Sequence, residues 1–333
     1  MKKSSYLILG LGIASVLLFL FDLTIGSSKL SIAEVWQALF NGESDAINRD
    51  IVLKIRLLSA VMAVLSGLAL SASGLLMQTL FNNPLAGPYV LGVSSGASLG
   101  VAIFILGAPI FALDKFPLIE SLGMAGAAWI GSAVVLVVIM SISRKIKDIM
   151  VILILGMMAS SAISSVVEIL QFLSNEASLK SFVVWSMGSL GNVSSEQLYM
   201  IAPVILLSVV LCILAIKPLD ILLLGENYAR TMGLNISRTR TLIFSATILL
   251  SGTITAFCGP IGFVGLAVPH LARIITRSAQ HKILMPTSML LGVIMMLVCD
   301  IISKSTALPI NTITALMGIP IVILVVIKGK NIF

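Results

Sequence analysis

Between Gly225 and Arg240 the chain reads Gly-Glu-Asn-Tyr-Ala-Arg-Thr-Met-Gly-Leu-Asn-Ile-Ser-Arg-Thr-Arg, a polar interval between two long apolar ones. Glu226 at its start and Arg230 one turn later suit a helix macrodipole, and Gly233 supplies a stop, so the spacing predicts a two-turn helix. Such a helix is unstable alone and needs a surface to lie on. Tyr228 and Met232, four residues apart, form a small apolar face suited to a groove on a cytoplasmic partner, with Arg238 adding charge beside it. The plainer alternative is a basic loop resting on lipid headgroups.

Three further clusters have types and spacings suited to work. Phe81-Asn-Asn-Pro-Leu-Ala-Gly-Pro88 is uncharged, and its prolines and glycine make a stiff turn of the kind that narrows a passage, or simply a tight connection. Gly259-Pro-Ile-Gly-Phe-Val-Gly-Leu-Ala-Val-Pro-His-Leu-Ala-Arg273 places the helix breakers Gly259, Pro260, Gly262 and Pro269 inside an apolar stretch. Broken helices at membrane depth lie against protein or a water-filled cavity and often mark a translocation site. His270 near its inner end reads more readily as a structural hydrogen-bonder than as a ligand. Lys54, Arg56, Glu168, Asp300 and Lys304 stand near the outer ends of apolar stretches, where snorkelling reduces the expense of a charge. Lys54, Arg56 and Lys304 together suggest a cationic rim for an acidic external partner, or anchoring to headgroups.

Catalytic chemistry is poorly served. There is no G-x-x-x-x-G-K-[ST] phosphate loop, so ATP chemistry belongs to another polypeptide. Cys212, Cys258 and Cys299 are isolated in apolar surroundings, and His270 and His281 make no metal-ligand cluster with them.

The elements that must position these groups follow from composition. Of 333 residues 58% are hydrophobic and 11% charged, against about 25% charged in soluble domains. About 20 apolar residues span a hydrocarbon core. Ten candidate spans result: Tyr6–Ile25, Leu57–Leu80, Tyr89–Ala108, Leu122–Ser141, Ile149–Leu170, Tyr199–Ile216, Thr241–Cys258, Ile261–Ile275, Ile283–Ile302 and Thr312–Ile327. The eighth is short, yet the 217–240 and 273–282 loops are both basic and so both cytoplasmic, which requires it to cross. With both termini inside, 14 of the 21 Lys and Arg residues are cytoplasmic. The net charge of +7 reflects this orientation bias and not nucleic-acid binding. No compositional break divides the chain, so a single membrane domain, 1–333, is expected. Small residues at four-residue spacing, Gly92, Gly96 and Gly100 and again Gly123, Ala127 and Gly131, favour close helix packing. Ser31–Phe40 has the apolar spacing of an amphipathic helix at the outer surface, with Ile32, Val35, Trp36 and Leu39 on one face.

Taken in order, several segments resemble the FecCD-type permeases of bacterial ATP-binding-cassette importers for iron-siderophore complexes, haem and cobalamin. They are Gly67–Gln78, Asn83–Ala97, Trp185–Leu190, Glu226–Gly233 and Gly259–Arg273. The similarity extends over nearly the whole chain. It implies an all-α membrane protein of ten spans per subunit with the type II importer permease bundle, paired as a homodimer in the bacterial cytoplasmic membrane. Two ATPase subunits, which carry ATP and Mg, would lie beneath, and a substrate-binding protein outside; no cofactor is implied for this chain itself. By the same resemblance the helix around Glu226 to Gly233 is a coupling helix seated in the ATPase, Asn83, Pro84 and Leu85 belong to a cytoplasmic gate, and Arg56 meets a carboxylate of the binding protein. Lys304 stands where the family often has arginine, Ile55 replaces a common proline, and the 304–309 segment is shortened, with Ala307 in place of an acidic residue. These departures concern the outer docking surface. A rival reading is an ion-coupled secondary transporter using Glu168, Asp300 and the broken segment. An intramembrane enzyme built on His270 lacks a second catalytic group.

Overall fold

A computed structural model describes residues 2–26, 28, 30–40, 45–107, 117–146 and 148–328, and among them all regular structure is helical. The expected second span is α4 (Leu57–Leu80), preceded by α1 (Lys2–Asp22), α2 (Ile32–Phe40) and α3 (Ala46–Asp50). Then come α5 (Val93–Ile105), α6 (Pro117–Lys145), α7 (Ile149–Leu173), α8 (Glu176–Ser186) and α9 (Ser195–Leu222). The series closes with α10 (Glu226–Thr231), α11 (Ile236–Cys258), α12 (Val264–Thr276), α13 (His281–Thr306) and α14 (Ile310–Lys328). Among the described residues seven helices have the length and apolarity to cross a membrane, and α5, α12 and α14 contain shorter apolar helices, matching the ten expected spans one for one.

The chain divides into two compact units. The first comprises 1–72, 189–203 and 261–333. Within it α13 packs against α1, α12 and α14. Leu23, Val35, Ala38, Val52 and Ala60 form a core that seats α2 on the end of α1. Gly67 and Gly292 bring the α4 and α13 backbones so close that a Cβ on either would overlap the other's carbonyl oxygen. The Ser31 hydroxyl caps α2 by accepting the Glu34 N–H at 3.2 Å, and the Glu34 carboxylate accepts the Ser31 N–H at 2.6 Å. α2 is the expected amphipathic helix with its face turned: Val35 and Ala38 go inward while Ile32 and Trp36 remain exposed.

The second unit comprises 73–188 and 204–260. α5, α6 and α11 pack together, and α7 and α8 flank α5. Ala97, Val101, Leu106, Ala128, Val167 and Phe182 share its core. The small-residue strips pack closely at Gly96, Gly100, Ala127 and Gly131, since helices in lipid gain contact only by close approach; Gly123, expected in the same strip, instead marks a kink in α6 at φ +60° with nothing within 4 Å of its Cβ position. A Cβ at Gly100 would overlap the Ala127 carbonyl, and one at Gly131 the Gly96 carbonyl. Gly100→Val is therefore expected to lose about 2–3 kcal/mol through overpacking, whereas Gly10→Val, with nothing within 4 Å of its Cβ position, should change little. Thermal unfolding of the two variants in detergent checks this.

Candidate functional site

The helix expected from Glu226 is α10, six residues long, set between Gly225 at φ +91° and Gly233 at φ +84°. Those left-handed angles suit glycine and explain why the helix starts and stops so sharply. Its C-terminal end is closed twice: the Leu234 N–H donates to the Ala229 carbonyl and the Gly233 N–H to the Arg230 carbonyl, each at 3.0 Å. Ala229 is buried, whereas Tyr228 and Met232 are 56% and 55% exposed, so the apolar pair is presented outward. Leu224, Gly225, Glu226, Asn227, Tyr228 and Thr231 line an open recess of about 500 Å³ beside them.

The residue that holds α10 in place is Arg240, the last residue of the polar interval and not one that its spacing singles out. From the first turns of α11 its Nη2 donates to both Glu226 carboxylate oxygens, at 2.7 and 2.9 Å, its Nε to Oε1 at 3.2 Å, and its Nη1 to the Ile146 carbonyl at 3.0 Å. The Arg240 side chain is 4% exposed. Arg230 is a weaker partner of the same carboxylate, at 3.9 Å with its side chain half exposed. Arg238 is exposed, and its backbone N–H is capped by the Asn235 side chain at 3.0 Å.

In the same unit the 81–88 turn is stiffened as its composition implies. The Asn83 side-chain oxygen accepts the Leu85 N–H at 2.9 Å and its carbonyl the Ala86 N–H at 3.1 Å. Pro84 is half-buried and Leu85 49% exposed at the tip. Gly259 has φ +74°, and a Cβ there would overlap the Trp185 carbonyl, so glycine is required both for the bend and for the close approach; Pro260 follows it.

In the other unit the broken segment resumes at Gly262, whose N–H donates to the Asn311 side chain at 2.9 Å, a partner for backbone that no helix satisfies. α12 then runs 13 residues, about 20 Å, less than a full hydrocarbon core. It carries Pro269 and His270, both buried, and the half-buried Arg273.

The three rim cations do not stand together as free charges. Lys54 is exposed and pairs with Asp50 at 2.8 Å. Arg56 lies in a π-helical turn, Ile51–Arg56, and is buried, donating to the carbonyls of Leu23, Thr24 and Ser28 and to the Ser28 hydroxyl. Lys304 bridges Asp22 and Asp300, at 2.7 Å each, and the Ser59 hydroxyl lies 3.0 and 2.8 Å from the two Asp300 oxygens. Asp22 is not among the residues whose spacing suggested a site. Its signal was available: a carboxylate ending an apolar helix faces the negative end of the macrodipole and calls for a cation.

The FecCD transport family model matches residues 14–328. The hemin transport system permease protein HmuU of Yersinia pestis is 34% identical over 322 residues, covering 95% of each chain. The vitamin B12 import system permease protein BtuC of Vibrio cholerae is 31% identical, covering 99% of this chain and 95% of its own. A solved chain described as a metal-chelate type ABC transporter in an inward-facing conformation is 29% identical, with a TM-score of 0.84 over 97% of this chain and 99% of that one.

Proposed function

Because the chain belongs to the FecCD transport family, we propose that it works as one of two identical membrane-spanning halves of an importer driven by two separate ATPase subunits. The chain is a multi-pass inner-membrane permease subunit and not an enzyme. ATP and Mg are handled by the ATPases, and an extracytoplasmic binding protein delivers the cargo to a path between the paired subunits. Both termini lie in the cytoplasm, and the whole chain acts as one membrane domain.

The observation that carries this reading is the brace on α10: a helix too short to persist alone is fixed to α11 and to the α6–α7 link while Tyr228 and Met232 stay exposed. That combination suits a rigid peg for a cytoplasmic ATPase. The 83–85 turn serves as the cytoplasmic gate. Docking outside engages the surface around Lys54, with Arg56 and Lys304 shaping it from within. The cargo is a large chelate, of the kind for which the hemin and vitamin B12 relatives are named.

Uptake into proteoliposomes tests the reading. It should require the purified ATPase and ATP, and the double variant Tyr228→Asp, Met232→Asp should lose ATPase co-purification while inserting normally. Uptake by this chain alone, driven by an ion gradient, would instead establish a secondary transporter.

A further inference from the structure

α12 begins on a turn that a phenylalanine rarely makes. Phe263 has φ +66° and ψ −30°, and the Val264 N–H donates to the Gly262 carbonyl at 2.8 Å, so residues 262–264 close a γ-turn of the uncommon, positive-φ hand. A bulky side chain at such an angle crowds its own backbone. Phe263 is also the N-cap of α12: its carbonyl accepts the Leu266 and Ala267 N–H groups at 3.0 and 2.8 Å, and no side chain caps the helix beside it. An N-cap residue ordinarily keeps extended backbone, so the head of α12 is built on a conformation that its own residues do not favour.

Strain of this kind persists only where neighbours over-determine it. The neighbours here are on α14. The Asn311 side chain accepts the Gly262 N–H at 2.9 Å and so fixes one end of the turn. Gly318, buried on the same helix, leaves room for the Phe263 Cβ, which a Cβ at 318 would overlap. Asn311 and Gly318 are seven residues apart, close to two full turns, so both look out from one side of α14. The turn stands just after the chain passes, between Pro260 and Ile261, from the second compact unit into the first.

We propose that Asn311 and Gly318 form a clamp that holds the Gly262–Val264 turn under strain, so that a shift of α14 away from the turn releases Phe263 toward extended backbone and re-aims the start of α12. The clamp makes the two helices move together. It is mechanical and belongs to this chain alone, so it stands whether an ATPase or an ion gradient drives the movement. Asn311 and Gly318 are positioning residues, acting through the backbone at Phe263.

Site-resolved hydrogen–deuterium exchange at the Val264 amide, on the full chain in detergent, reads how often the turn opens. In the native background Asn311→Ala and Gly318→Ala should each speed that exchange by about tenfold, the scale of one strained residue set free. In a Phe263→Gly background the same two substitutions should change it little, because glycine holds positive φ without strain and leaves no Cβ for an alanine at 318 to strike. Phe263→Asn, whose short polar side chain tolerates this region, repeats the comparison if glycine loosens the fold. Acceleration as large in the Phe263→Gly chain as in the native one would overturn the stored strain, and no acceleration by either α14 variant in the native chain would overturn the clamp. The measurement needs neither partner nor cargo, so its failure is separate from failure of the importer reading.

Discussion

Replacing Arg240 by leucine is expected to abolish ATP-driven uptake while the chain still inserts in the membrane. The substitution removes three guanidinium nitrogens' worth of donors at once and leaves the Glu226 carboxylate and the Ile146 carbonyl without them. Breaking one partner from a buried pair removes about 3 kcal/mol or more. Glu226 is 23% exposed, so part of that loss is recovered by hydration. A residual 2–3 kcal/mol still lowers the docked-to-undocked ratio of α10 by about thirty- to 150-fold. Arg240→Lys should fall between, because an ammonium cannot reproduce the planar fork. Arg230→Ala should cost less than about 1 kcal/mol, as a half-exposed pair at 3.9 Å does. Uptake and stimulated ATP hydrolysis in proteoliposomes rank the three variants; equal losses at 230 and 240 would show that the brace is not what positions the peg.

The second large effect is on stability. Lys304→Met leaves Asp22 and Asp300, with side chains 0% and 5% exposed, without their shared cation. Two carboxylates so placed repel each other with little water to screen them, and a loss of about 3–5 kcal/mol is expected. Removing the charges together should recover most of it: the triple variant Asp22→Asn, Asp300→Asn, Lys304→Met should unfold in detergent much nearer the native chain than the single one does. A single variant as stable as the parent would mean the three groups are hydrated in the membrane.

What the sequence discloses and what it hides divide by the distance over which a cause acts. Leu57 to Leu80 and Glu226 to Thr231 are legible because hydropathy, macrodipole and glycine stops are local. The interrupted eighth span is legible for the same reason: Gly259, Pro260 and Gly262 break the helix wherever they are put. Arg240 with Glu226 is harder, since 14 residues separate them and only folding reveals that the pair closes a loop. Asp22 and Lys304 are 282 positions apart, beyond any periodicity. Arg56 was expected to face outward because the end of an apolar run usually does; the π-helical turn before α4 and the free carbonyls at the end of α1 draw it inward instead. In α2 the small Ala38 is buried and the bulkier Trp36 is not, a choice made by the fit against Leu23 and Val52, which spacing alone does not carry.

α11 joins Arg240 near one end to Cys258 at the other, without proline or a left-handed residue between them. It is an uninterrupted helix of 23 residues, about 35 Å long. If α10 seats in an ATPase as proposed, a thrust on it would be carried along this pushrod toward its far end, where the chain corners at Gly259. On that reading, motion begun on one side of the bilayer would reach the other as displacement at one joint, Gly259, whose φ of +74° only glycine holds readily.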